Sequence, residues 1–155
     1  MKNNLTDNMV TWAELENQSQ IFQDRNCYFL GLLRLISSDG KIHPEEKNKL
    51  MEIAGIMDFE SNYCEEVIHS VFENRSLQKI PIRFVSISAA KAFIEDAIRL
   101  ALCNGELSSC EKEWLDSVAA INEISTTYIK LFNKRDSLKN DSTEWAVTRW
   151  WTGSR

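Results

Sequence analysis

The spacing of apolar residues predicts that this chain is helical over most of its length. Leu50, Ile53, Ala54 and Met57 recur at helical intervals and mark one buried face of an α-helix. The denser run CYFLGLLRLI, residues 27–36, is compatible with a buried strand or a buried helix by periodicity alone. We predict a helix there, because leucine outnumbers β-branched residues in it.

Turn-forming and capping residues divide the chain into separate helices. Gly40 can take the left-handed conformation that ends one helix, and Pro44 suits the first position of the next. A later helix is expected from about Arg83, and another is expected after the capping residue Ser125. Residues 74–81 form the longest break and predict a boundary between two halves.

One stretch is nearly repeated 65 positions later in the chain. The segment SDGKIHPEEKNKLMEIAGI, residues 38–56, aligns with CNGELSSCEKEWLDSVAAI, residues 103–121. Within this alignment an Asp-Gly pair meets an Asn-Gly pair, Glu46 meets Glu111, and the apolar spacing that follows is the same. Such self-similarity predicts one supersecondary unit that occurs twice.

These patterns predict a single all-α domain spanning residues 1–155. We expect an irregular bundle of about seven helices, built from two pseudo-symmetric helix–turn–helix repeats. Repeat one covers about 27–74 and repeat two about 83–140, and a tryptophan-rich tail, 141–155, follows them.

Composition narrows the classes of protein to consider. The net charge of -5 argues against nucleic acid as a partner, because phosphate binding needs a basic face. The four cysteines form no CxxC pair, which favours free thiols in a reducing compartment. No apolar core of a signal peptide occurs in residues 1–20, and no apolar run reaches ~18 residues. We therefore expect a soluble cytoplasmic protein.

The repeated turn first invites comparison with the calcium loop of an EF-hand. The Asp-Gly pair and Glu46 match the fifth, sixth and twelfth places of that loop. The first and third places must carry oxygen donors, yet they fall on Leu100 and Leu102 in the second copy. In the first copy the first place falls on Leu35. An ordinary EF-hand is therefore excluded in both halves.

The alternation of an apolar helix, a DG turn and a glutamate at the head of the next helix resembles the TerB-like family of tellurite-resistance proteins. Both LISSDGKIHPEEKNKLMEIAGIM and LALCNGELSSCEKEWLDSVAAIN match that shape, and the resemblance covers roughly Phe29 to Phe132. It implies an all-α fold with a pseudo-twofold repeat, a bacterial stress or tellurite-resistance role, and an acidic cluster that holds a divalent metal.

Carrying the resemblance over by position gives four candidate metal ligands: Asp39, Glu46, Asn104 and Glu111. If the two turns face each other, they supply three carboxylates and one amide oxygen. Such a set suits calcium, magnesium or manganese better than zinc. The chain departs from the family pattern at Asn104, where an aspartate is expected, and this weakens the site. Glu95 and Asp96 are candidates for a further carboxylate.

A purely structural interpretation of the same residues stays open. Ser108 and Glu111 have the spacing of a capping box, and Glu46 lies in the same third helical position after His43. Such a cap stabilises a helix by ~1 kcal/mol without any metal. The aspartate and asparagine before the two glycines are also ordinary turn residues. The two roles are compatible in part, since one carboxylate oxygen can cap while the other ligates.

Other combinations of reactive residues give weaker signals. His43 or His69 could pair with Cys64 or Cys110 at a soft-metal site, but no spacing supports it. Cysteine–histidine catalysis lacks a third orienting group, a metal enzyme lacks an obvious base, and no glycine-rich phosphate loop occurs. We therefore expect a non-enzymatic module, and the alternative is a structural or protein-interaction module without metal.

The tail contains three of the five tryptophans, Trp145, Trp150 and Trp151, together with Arg149. Tryptophan and arginine are common anchors of protein interfaces, so a protein partner or a homodimer is one interpretation. The tail can equally fold back over its own bundle, or lie at a membrane surface. The acidic body of the protein makes membrane association the least favoured of the three.

Overall fold

The computed structural model describes residues 11–38, 40–73, 82–103, 105, 107–125 and 144–154. Within these ranges the protein is all-helical, with six helices and no strands, which confirms the expected fold class. The helices are α1 (Trp12–Ile36), α2 (Pro44–Ile56), α3 (Ser61–Glu73), α4 (Ile87–Leu102), α5 (Ser109–Ile121) and α6 (Ala146–Ser154). The boundary predicted at 74–81 and the helix predicted after Ser125 lie outside the described residues.

Helix α4 is the centre of the bundle. It packs against α1, α2, α5 and α6, and ten of its sixteen residues are buried. Its Phe93 is fully buried and meets the rings of Tyr28, Phe84 and Trp114. An amphipathic surface helix would bury one stripe, whereas α4 is enclosed on several sides and organises the core.

The start of α4 lies later than the sequence predicts. A helix from about Arg83 is wrong, because residues 82–84 are non-helical and the helix begins at Ile87. Buried Asn122 holds this segment in place: its Oδ1 accepts the N–H of Phe84 (2.8 Å) and its Nδ2 donates to the carbonyl of Ile82 (2.7 Å). These backbone groups are bonded to the residue that follows α5 and are not available for helical hydrogen bonds.

A buried aspartate on α1 holds Val85 and Ser86, the two residues that follow this segment. Asp24 Oδ1 accepts the N–H of Val85 (2.6 Å), and its Oδ2 accepts the N–H of Ser86 (3.0 Å). Ser86 then caps α4 by accepting the N–H of Ala89 (3.0 Å). Burial raises the pKa of Asp24, although its hydrogen bonds to Val85 and Ser86 oppose the shift.

The two glycine turns share a backbone hydrogen bond and a positive φ at glycine. The N–H of Gly40 donates to the carbonyl of Ser37, and the N–H of Gly105 donates to that of Leu102, both at 2.9 Å. Both glycines have a positive φ, 88° at Gly40 and 119° at Gly105. This backbone region favours glycine, so the turns need glycine where the sequence has it.

The helices that follow the turns also end alike. Asp58 after α2 has a φ of 67°, and Glu123 after α5 has a φ of 58°. The next N–H in each case reaches back five residues, from Phe59 to Ala54 (3.1 Å) and from Ile124 to Ala119 (2.8 Å). These bonds are typical of a Schellman helix end. Residues 65 positions apart therefore make the same hydrogen bonds at the C-terminal ends of α2 and α5.

Helices α1 and α4 meet through two contacts whose residues correspond to each other, 65 positions apart in the chain. Tyr28 on α1 donates its hydroxyl to Asp96 on α4 (2.6 Å). Phe93, 65 positions after Tyr28, lies against Gly31, 65 positions before Asp96. A Cβ atom at Gly31 would meet the Phe93 ring at 2.7 Å, so the close approach of α1 and α4 needs glycine there.

Among the residues that the structure describes, no helix is long and apolar enough to cross a membrane.

Candidate functional site

Two of the four predicted metal ligands lie on described helices. Glu46 is in the first turn of α2 and Glu111 in the first turn of α5, and they are 3% and 8% exposed. Burial of this degree is unusual for glutamate, because removing a carboxylate from water is costly unless it is hydrogen-bonded or paired. Asp39 and Asn104 lie outside the described residues.

Both glutamates cap their own helices. Glu111 Oε1 accepts the N–H of Ser108 (2.8 Å), and Ser108 Oγ accepts the N–H of Glu111 (3.1 Å), which completes a capping box. Glu46 Oε1 accepts the N–H of His43 (3.4 Å), which is a longer and weaker bond. The capping role that the sequence predicts is thus present at both helices, and it is better formed at Glu111.

The thiol of Cys103 lies where charged residues of both repeats influence its ionisation. Its pKa is raised to about 11, first by burial and then by the negative charges of Glu46 and Glu45, while Lys49 opposes the shift. Glu111 raises the same pKa. Carboxylates from α2 and from α5 therefore both contribute to the electrostatic environment of this thiol.

The glycine turn at Gly40 contains a further oxygen atom that the sequence analysis does not identify. Ser38 Oγ is buried, and it makes no hydrogen bond within the described part of the chain. A buried hydroxyl without a partner is costly, and it marks a place where a ligand would be favourable. Its position directly before the DG turn gave the only signal in the sequence, and serine there reads equally well as a turn residue.

The described residues contain no group of three or more His, Cys, Asp or Glu side chains arranged to hold a metal ion. Of the four predicted ligands, Glu46 and Glu111 are the two that belong to the described part of the chain. Their carboxylate oxygens are the donors that hard divalent cations prefer. In donor chemistry the residues present therefore fit calcium, magnesium or manganese.

The two additional carboxylates considered from sequence are engaged elsewhere. Asp96 is fully buried, and besides Tyr28 it accepts the N–H groups of Ala146 (2.7 Å) and Val147 (2.8 Å) at the start of α6. Glu95 forms an ion pair with Arg149 on α6 (3.0 Å). Both side chains serve the docking of the C-terminal helix.

The remaining candidates from the sequence do not form a site in the described residues. His43 and His69 are exposed, Cys64 is buried and Cys110 is exposed. All four cysteines are free thiols. None of the histidine–cysteine pairs considered from sequence belongs to a metal-binding group within the described ranges.

The described part of the tryptophan-rich tail, residues 144–154, packs on its own chain. Trp145, Trp150 and Trp151 are 9%, 7% and 3% exposed, and they cover α1, α2 and α4. Of the three interpretations open from sequence, the structure shows intramolecular packing.

Comparison with protein families, with characterised proteins and with solved structures finds no significant match to this chain.

Proposed function

We propose that this protein is a TerB-like, non-enzymatic helical module of a cytoplasmic bacterial tellurite-resistance or stress-response system, and that it binds a divalent cation between its two glycine turns. The observation that carries this proposal is the burial of the first-turn glutamates Glu46 and Glu111, whose negative charges both raise the pKa of Cys103. Negative charge contributed by two helices favours a cation.

The matching geometry of the two turns supports the family assignment. In each half a helix is followed by a glycine with positive φ, and a glutamate lies in the first turn of the helix after it. The corresponding residues of the two halves are 65 positions apart. The same order of elements underlies the sequence resemblance to the TerB-like proteins. We also propose that such a module binds a protein partner or a second copy of itself.

The cation would be held by carboxylate oxygens of Glu46 and Glu111, with Asp39 and Asn104 as the expected further ligands. An all-oxygen set of this kind favours calcium, magnesium or manganese. Each glutamate uses Oε1 for capping, so cation binding and capping draw on the same side chains. Nearby Lys49 opposes a cation, which predicts weak binding.

Glutamine substitution separates the two roles of these glutamates. A capping box accepts either glutamate or glutamine, so Glu46→Gln/Glu111→Gln keeps the backbone hydrogen bonds but removes both charges. We expect the unfolding free energy of the variant without metal to stay within about 1 kcal/mol of the wild type. We also expect its response to calcium, magnesium and manganese to disappear.

Isothermal titration calorimetry and thermal unfolding measure this response. A cation at 100 times its Kd should stabilise the wild-type protein by about 2.7 kcal/mol. Glu113→Gln is the matched control, since Glu113 is an exposed carboxylate of α5 away from the cap. Equal metal responses in the wild type and the double glutamine variant would contradict the proposed site.

The second candidate function is a structural or protein-interaction module without metal. The complete capping box at Ser108 and Glu111 favours it, because it explains the buried glutamate without a ligand. This alternative predicts that Glu111→Ala lowers the unfolding free energy by about 1 kcal/mol and that no divalent cation shifts the melting temperature.

A further inference from the structure

An aromatic band with an arginine within it runs from α1 to α3 and consists of Phe22, Arg25, Phe59 and Tyr63. The guanidinium of Arg25 lies over the Phe22 ring, 5.2 Å from its centroid, and over the Phe59 ring at 4.2 Å. The Phe59 ring stacks on that of Tyr63, with centroids 5.8 Å apart and an angle of 6° between the planes. Phe22 and Tyr63 are half-exposed. The band therefore presents aromatic surface to the solvent around a positive charge.

The charge of Arg25 has no acidic partner within the described part of the chain. The guanidinium makes no ion pair there, and its one hydrogen bond runs from Nη1 to the carbonyl of Met57 (3.1 Å). Its Nε–H is buried without an acceptor. The planar fork of an arginine matches the geometry of a carboxylate, and the flanking rings hold it in place. Arg25 is therefore suited to receive a carboxylate from a binding partner.

Exposed apolar side chains continue from the band along the first half of α1. Leu15 is exposed and lies seven residues before Phe22, which places both on the same face of the helix. Trp12, one turn earlier, is 86% exposed. Every residue from 15 to 20 is exposed as well, so the described chain covers little of this end of α1. Scattered apolar residues on a surface are ordinary, whereas a neighbouring set marks an interaction site.

Two carboxylates beside the band limit the charge of its occupant. Asp58 and Glu60, on either side of Phe59 in the chain, are both exposed. The Asp58 carboxylate accepts the indole N–H of Trp151 (3.3 Å), which holds it next to the band. A run of acidic residues would be repelled by these two charges, whereas a single carboxylate directed at Arg25 gains an ion pair. The surroundings therefore favour an occupant with one carboxylate between apolar side chains.

We propose that the aromatic band binds a segment of another protein in which one carboxylate lies between aromatic side chains. The carboxylate pairs with Arg25, and the aromatic side chains pack on Phe22 and Tyr63. Arginine and aromatic residues are frequent anchors of protein interfaces. This inference rests on the partner binding proposed above, for which it specifies the surface and the chemistry, but it does not involve the cation site.

Short capped peptides test the chemistry of the occupant on the full-length protein. Phe-Glu-Phe is the probe, and Phe-Gln-Phe, which lacks the charge, is its matched control. In NMR titrations we expect Phe-Glu-Phe to shift the amide signals of Phe22, Arg25 and Tyr63. It should bind about five-fold more tightly than Phe-Gln-Phe, the factor expected of one exposed ion pair. Phe-Glu-Glu-Glu-Phe should bind more weakly than Phe-Glu-Phe. Equal affinities of the first two peptides, or no binding, would overturn the proposal.

Three variants locate the binding on the protein. Arg25→Gln should weaken Phe-Glu-Phe by about five-fold and leave Phe-Gln-Phe unchanged. Tyr63→Ser removes an exposed ring of the band and should weaken both peptides. Arg83→Gln is the matched control, because Arg83 is exposed and lies outside the band. If Arg25→Gln does not fold, Tyr63→Ser decides, and unchanged binding of both peptides to it would contradict the proposed surface.

Two further measurements separate this surface from other interpretations. The variant Glu46→Gln/Glu111→Gln should bind Phe-Glu-Phe as the wild type does, so loss of the cation response and loss of peptide binding are distinguishable. Sedimentation velocity should show a monomer in the absence of peptide. A wild-type dimer that Tyr63→Ser abolishes would identify the occupant as a second copy of this chain, and would overturn the assignment to a different protein.

Discussion

At the scale of single residues, the carboxylate of Asp96 joins three helices at one point. It lies on α4, accepts the hydroxyl proton of Tyr28 on α1 and caps α6. Burial raises its pKa to about 6, while the hydrogen bonds from Tyr28, Ala146 and Val147 and the nearby charge of Arg99 oppose the shift. This residue links the bundle to the C-terminal helix.

Removing one of its hydrogen bonds should weaken the fold measurably. Tyr28→Phe deletes the hydroxyl but keeps the ring that stacks on Trp150. We expect the free energy of unfolding to fall by about 1–3 kcal/mol, because a buried charged acceptor loses a donor. Urea denaturation measures this change. Tyr63→Phe, at an exposed position of α3, is the control and should change the unfolding free energy by less than about 0.5 kcal/mol.

The pKa of Asp96 also predicts a dependence of stability on pH. Because the folded protein holds this proton up to about pH 6 and the unfolded chain releases it near 3.8, the folded state binds more protons in between. The favourable contribution of protonated Asp96 to the free energy of unfolding is therefore fully present below pH 3.8. It is lost as the pH rises through 6, and the total loss is about 3 kcal/mol.

Comparison with Asp96→Asn isolates this contribution from those of the other carboxylates. The unfolding free energy of the wild type relative to this variant should fall between pH 4 and pH 7 in urea titrations. A difference that rises with pH would show that the hydrogen bonds outweigh burial and hold the carboxylate ionised.

The role of Asp96 could not be read from the sequence. Its partners lie 50 to 68 positions away, so only the tertiary fold brings them together. From sequence it was a further candidate for the metal site, since an acid near the NG turn suits that role. Asp24 was missed for the same reason, because the amides of Val85 and Ser86 are 61 and 62 positions away.

At the scale of helices and turns, the sequence correctly predicts those helix starts, caps and turns that depend on residues close together in the chain. Pro44 at the first position of α2, Ser108 as the cap of α5 and the left-handed Gly40 were all predicted and are all present. The predicted start of α4 is wrong because Asn122 and Asp24, both distant in sequence, hold the segment before Ile87 in a non-helical conformation.

Alanine substitution of the turn glycines should separate backbone strain from packing. Neither Gly40 nor Gly105 has an atom within 4 Å of an added Cβ, so the cost comes from their positive φ. We expect Gly40→Ala and Gly105→Ala each to lower the unfolding free energy by about 1–2 kcal/mol.

Gly55→Ala is the matched control for these variants. Gly55 is exposed within α2 and also has no atom within 4 Å of an added Cβ. Alanine should therefore raise stability there by up to about 1 kcal/mol, because it forms helices better than glycine. A loss of stability at Gly55 equal to that at the turns would show that the positive φ is not the cause.

At the scale of the whole molecule, the proposed cation site requires the starts of α2 and α5 to lie close together. The sequence predicts the capping glutamates of these helices, but it does not predict how the two helices are arranged in space. Glu46 and Glu111 both raise the pKa of Cys103, which supports the proposal. Turns that lie apart would offer one glutamate each and no shared cation site.

Alkylation of Cys103 tests the shared site most directly. Peptide-resolved mass spectrometry at pH 8 measures the rate for this thiol separately from the other cysteines. With its pKa at about 11, Cys103 should react slowly in the wild type, because the thiolate is the reactive form. Glu46→Gln and Glu111→Gln should each accelerate the reaction. Saturating calcium or magnesium should accelerate it in the wild type but not in the double variant, since a bound cation lowers the pKa of a nearby thiol. Rates that respond to only one glutamate, or that ignore the cations, would contradict a common site at the two turns.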